Sequence, residues 1–77
     1  MVITPGTEGI VIAITPVAIH GDRYLDVVVA DAGSPADPEA RISARLGTEA
    51  VDHGLAPGDR VRVEGFLRTI TGLRRIG

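Results

Sequence analysis

The stretch GLAPGDRVRVEGFLRT, Gly54 to Thr69, decides how the rest of the chain is read. Pro57-Gly58 suits the two central positions of a type II turn, because proline presets φ and glycine takes the positive φ without steric cost. After the turn the residues alternate. Val61, Val63 and Leu67 point one way, while Arg60, Arg62, Glu64, Phe66 and Arg68 point the other, which is the period of a strand buried on one face. Gly65 interrupts this strand where a bend or a bulge is needed.

Working outward, the same period-two pattern returns three times upstream. A first strand is expected over Gly9 to Ile19, with Ile10, Ile12 and Ile14 on the core face. Its other face, Val11, Ala13 and Thr15, is nearly as apolar, and Pro16 removes a ladder donor, which points to a bulge or an edge. His20-Gly21-Asp22 turns the chain into a second strand, Arg23 to Asp31. Here Leu25, Val27 and Val29 alternate with Tyr24, Asp26 and Val28. The segment 32–38, rich in glycine and proline, reads as a loop. A third strand, Glu39 to Leu46, turns Ile42, Ala44 and Leu46 inward and Arg41, Ser43 and Arg45 outward.

Thr48 to His53 reads as a short helix, with Thr48 as its cap, Glu49 in its first turn and Gly54 closing it. Val51 and Leu55 are its expected buried contacts. Beyond the fourth strand, Ile70-Thr71-Gly72 is expected to turn the chain into a fifth strand, Leu73 to Ile76. The expected interior is Ile10, Ile12, Leu25, Val27, Val29, Ile42, Leu46, Val61, Val63 and Leu67, with the sheet closed or nearly closed.

The order of three strands, a helix and two strands, with Gly9-x-Val11, Asp31 closing the second strand and GDRVRVEGFL as the fourth, resembles the OB-fold nucleic-acid-binding domains. The likeness is to the tRNA- and helicase-type and bacterial single-stranded-DNA-binding OB barrels, and it covers Gly9 to Ile76. It implies an all-β fold: a five-stranded OB-like Greek-key barrel with one short helix between strands three and four. Residues 1–77 then form a single domain.

Composition bounds the function. The chain has 77 residues, a net charge of −2 and no cysteine. A domain of this size buries only about 60–65 % of its unfolded surface and is marginal alone. With no cysteine, neither a disulfide nor a thiolate metal site reinforces it. No secretory leader is read at the start, and the longest apolar run, Ile10 to Ile14, is too short to span a bilayer. A cytoplasmic protein without membrane contact is expected. All eight basic residues are arginine. Residues 1–38 carry Arg23 against Glu8, Asp22, Asp26, Asp31 and Asp37, whereas residues 60–77 carry Arg60, Arg62, Arg68, Arg74 and Arg75 against Glu64. A local basic patch can hold an anion even on an acidic chain.

Signals for catalysis are weak, and no enzyme activity is expected. His20 and His53 have no second ligand at a metal-site spacing, and Ser34 and Ser43 have no glycine-framed nucleophile turn. Asp31, Asp37 and Glu39 flank one loop but match no EF-hand spacing. No phosphate-cradling glycine motif is present, and no cofactor and no metal are expected.

The OB resemblance implies instead that single strands lie on the face of strands two and three and on the adjoining loops. Carried onto this chain, that site is Arg23, Tyr24, Arg41, Ser43, Arg45, Arg68 and Arg74, with Tyr24 stacking on a base and arginines meeting phosphate. Asp26 shares the Tyr24 face and opposes phosphate there, so weak, electrostatically assisted binding of single-stranded DNA or RNA is expected. The alternative is an OB-type protein-interaction or self-assembly module without nucleic-acid binding. A two-sided apolar first strand and the small size point to a homo-oligomer, with Val11, Ala13, Val17 and Val28 as the candidate patch. A protein partner fits the same patch.

Overall fold

The computed structural model describes residues 6–66 and 69–76, the Phe66 side chain excepted. Five strands form one antiparallel sheet: β1 (Glu8–Ile19), β2 (Asp22–Asp31), β3 (Arg41–Gly47), β4 (Arg60–Phe66) and β5 (Thr69–Arg75). Their order across the sheet is β3-β2-β1-β4-β5. β1 is shared between the two halves: it pairs with β2 along nearly its whole length and with β4 only through Glu8, Gly9 and Ile10.

The turn before β4 forms as its sequence dictates. The Asp59 N–H donates to the Ala56 carbonyl at 3.1 Å, and Gly58 has a φ of +96°. The Asp59 carboxylate accepts from the Ala56 N–H at 2.9 Å and locks the turn from its other side. The Gly58 N–H then donates to the Val11 carbonyl, tying the turn to β1. Val61 and Val63 are fully buried, and Arg60, Arg62 and Glu64 are exposed, so the predicted register of β4 holds. The ladder to β5 shifts between Glu64 and Gly65, the bulge that Gly65 foretold. A Cβ there would run into the Thr69 carbonyl oxygen.

Val11, Val27, Val29, Leu46, Val51, Val61, Val63 and Leu73 make the core, with Ile14, Leu25, Ile42, Ala44, Leu55 and Ile70 packed against it. Burying each valine or leucine side chain contributes about 1.5–3 kcal/mol, well above what exposed ion pairs supply.

Four expectations are corrected. First, Ile10 and Ile12 do not enter the core, and Val11 does. The β1–β2 register shifts between Val11 and Ala13, so Val11 opposite Val29 and Ile14 opposite Val27 both point inward. One extra residue exchanges the faces, and the bulge falls at Ile12, while Pro16, paired with Leu25 of β2 and lying beyond the β1–β4 ladder, takes the edge position that its missing donor also allows. Second, no α-helix forms among the described residues. Thr48–Ala50 is a single 3-10 turn without a side-chain cap, and Pro38–Ala40 is another, capped by Asp37. Third, β5 begins at Thr69, with Gly72 inside it opposite Glu64. Fourth, the sheet is not closed into a barrel. β3 and β5 remain its two edges, and among the described residues the backbone link between them is the isolated parallel bridge of Val51, which follows the Thr48–Ala50 turn, to Leu73. That bridge is why no helix forms: the Asp52 N–H donates to the Leu73 carbonyl, so the backbone after Ala50 pairs with β5 instead of coiling. The expected interior residue Leu67 and the expected site residue Arg68 lie outside the described residues.

Candidate nucleic-acid interface

The β2–β3 ladder sets the site. Its register pairs Tyr24 with Gly47, Asp26 with Arg45, Val28 with Ser43 and Ala30 with Arg41. Because side chains alternate across a strand, Tyr24, Asp26 and Val28 of β2 share a face with Arg41, Ser43 and Arg45 of β3. This is the face away from Val27, Val29 and Leu46. Arg41, Ser43 and Arg45 are exposed, and Tyr24 is half-buried.

The arginines differ in what holds them. Arg45 makes a two-point pair with Asp26, Nε to Oδ1 at 2.7 Å and Nη2 to Oδ2 at 3.0 Å. The hydrogen bond from Arg45 holds the Asp26 carboxyl below its ordinary range, and the same bond raises Arg45. Arg41 has only a long contact, Nη2 to the Pro35 carbonyl at 3.5 Å, and no ion pair among the described residues. Asp26, Val28, Ser43 and Arg45 line a shallow open depression on this face.

Arg23 sits beside Tyr24 with the parity of the core-facing residues, but beyond the end of the core, where it is exposed. It shares a second depression with Tyr24, Asp22, Gly47, Thr48 and Glu49, so its surroundings are partly acidic. The structure thus brings Tyr24, Arg41, Ser43 and Arg45 onto one face, with Arg23 at its margin. Arg74 is not part of that group. It lies on β5, where Nε meets Glu64 Oε1 at 2.8 Å and Nη1 meets Asp52 Oδ1 at 2.9 Å. The basic end of the sequence is largely paired: Arg60 with Glu8, Arg74 with Glu64 and Asp52, and Arg75 with Asp59.

The chain matches no protein-family model, no curated protein and no solved structure.

Asp26 is the residue whose role sequence reasoning missed. Its shared face with Tyr24 is legible from alternation. Its position opposite Arg45 is not, because the connection from Asp31 to Arg41 is too long to fix the register. Asp31 and Asp37 serve the backbone of that connection, accepting from the Gly33 and Glu39 N–H groups at 2.9 Å. Among the described residues no three His, Asp or Glu side chains gather where a metal could be held. Nor is any helix long and apolar enough to cross a membrane.

Proposed function

We propose that the chain is an open OB-type module that binds single-stranded nucleic acid weakly and with electrostatic assistance. One observation carries the reading: Tyr24, Arg41, Ser43 and Arg45 share the outward face of β2 and β3. An aromatic ring, two guanidinium groups and a hydroxyl on a rigid sheet are the groups that stack on bases and meet phosphates. The strand order and the Val51–Leu73 bridge, which draws the two sheet edges together, support the OB comparison. Two arginines against Asp26 leave little net charge on the face, which is why the binding is weak. The activity is binding rather than catalysis, in the cytoplasm, without a cofactor.

The test is fluorescence anisotropy with labelled DNA and RNA oligomers at several salt concentrations. Log K should fall with log salt by about 0.7 per phosphate contacted. Arg41→Ala should weaken all sequences alike and make that slope shallower by about one contact. Absence of binding to both oligomers at low salt would end this reading.

A second reading, self-assembly, draws on the unpaired backbone. β1 beyond Val11 has only β2 beside it, and β3 has no second neighbour among the described residues. Free edges of this kind pair with other chains. The apolar patch expected for it is smaller than the sequence implies, since Val11 is buried and Ile76 is the only large apolar residue exposed among those described. Light scattering across a concentration series decides it, and a strictly monomeric mass excludes it.

A further inference from the structure

We propose that Asp26 fixes the Arg45 guanidinium as a planar platform on which a nucleobase stacks, leaving phosphate contact on this face to Arg41. The inference rests on the nucleic-acid reading and changes the task assigned to Arg45 within it.

The geometry separates the two arginines. Guanidinium is a planar group with five N–H donors in a fixed fork. In Arg45 the Nε and Nη2 edge is taken by the two carboxylate oxygens of Asp26, at 2.7 and 3.0 Å. A two-point pair of this kind fixes the plane as well as the position. Both residues stand directly opposite each other on the β2–β3 ladder, so the plane is anchored to sheet at both ends. The pair is about half exposed, so that a ligand approaching from solvent meets the guanidinium plane rather than its occupied edge.

Charge points the same way. A phosphate approaching Arg45 also meets the Asp26 carboxylate, so most of the attraction cancels. Stacking needs no net charge, and a guanidinium plane stacks on aromatic rings and bases. Arg41, four residues along β3 on the same face, has no carboxylate partner among the described residues and keeps its full attraction for phosphate. Tyr24 lies two residues from Asp26 on the same face, about 6.8 Å along the strand, and supplies a second stacking surface beside the first. Asp26 acts through Arg45 and is a positioning residue, while Arg45 touches the base.

The experiment compares a fluorescein-labelled oligothymidylate with an abasic oligomer of the same length and backbone. Wild type should prefer the oligomer that carries bases. Arg45→Lys keeps the charge and removes the plane. It should weaken oligothymidylate binding by about five- to 150-fold, the range of one lost stack, with an unchanged salt slope and unchanged abasic binding. Asp26→Asn should also reduce the preference for bases, because the plane loses its holder, while abasic binding tightens as a negative charge is removed. The platform is overturned if Arg45→Lys affects both oligomers equally or neither, or if Asp26→Asn tightens both and keeps the base preference. Wild-type binding to both oligomers without preference removes the platform alone. Wild-type binding to neither removes the nucleic-acid reading beneath it. Both substitutions are at exposed positions, and circular dichroism confirms the fold of each variant.

Discussion

At the β4–β5 end of the sheet, Arg74 reaches Glu64 and Asp52, while Arg75 reaches the Gly54 carbonyl and Asp59 and donates its backbone N–H to Asp52. On β3, Arg45 has one partner across the ladder and Arg41 has a single long contact to a carbonyl. The same residue type does two jobs. Near β5 the guanidinium groups stitch the segment after β3 to the edge strand. On β3 they face solvent with donors or π faces to spare. The richest basic segment of the sequence is therefore not the strongest candidate for holding an anion. Charge counted along a chain becomes surface potential only after the register has matched each arginine with its carboxylate.

If the β5 end is structural, the largest effects there belong to stability. Leu73 is fully buried, faces Val63 and bridges to Val51. Leu73→Ala should cost about 2–5 kcal/mol, measured by urea denaturation. A loss well below that range would mean that the β5 edge is only loosely attached. Gly65→Ala comes next. Its methyl meets the Thr69 carbonyl, so the hairpin must shift its register or strain, at a cost of about 1–3 kcal/mol. An unchanged denaturation midpoint would show that the bulge is not fixed there.

The smallest effect sharpens the contrast most. The Arg75 backbone N–H, and then the Arg74 guanidinium, hold Asp52 below the ordinary carboxylate range. A depressed folded-state pKa stabilises fully above the unfolded value, and the contribution is lost as pH falls through the folded one. Asp52→Asn should therefore be less stable than wild type near neutral pH, and the two should converge as pH drops below the ordinary carboxylate range. Thermal melts across that range test it. Neither Asp52→Asn nor Gly65→Ala should alter the preference for bases over abasic backbone. If they do, the two regions are not separate in function.

What could be read from the sequence was local. Pro57-Gly58 and the Val61/Val63 alternation each depend on neighbouring residues only, and both stand in the structure. The outward placement of Arg41, Ser43 and Arg45 was legible for the same reason. The bulge at Ile12 was not, because residues 10–14 are apolar in both parities and give no sign of which set turns inward. The helix over Thr48–His53 had good local signals and lost to a tertiary pairing, the Val51–Leu73 bridge, that no local pattern encodes. The Asp26–Arg45 and Asp52–Arg74 pairs likewise need the ladders before they can be seen.

The narrow junction between β1 and β4 has a consequence for how the chain assembles. Every other ladder joins strands that follow one another, and the β1–β2 hairpin closes through His20 and Gly21 alone. The β1–β4 pairing sets Glu8 opposite Arg62 and within reach of the Arg60 guanidinium, 52 positions away in sequence. Loop closure grows costlier with length, and distant pairings set the pace of folding. The three residue pairs at Glu8, Gly9 and Ile10 are thus where the topology is decided. Two hairpin units can form early from local contacts, and the molecule becomes one sheet only when that short seam closes.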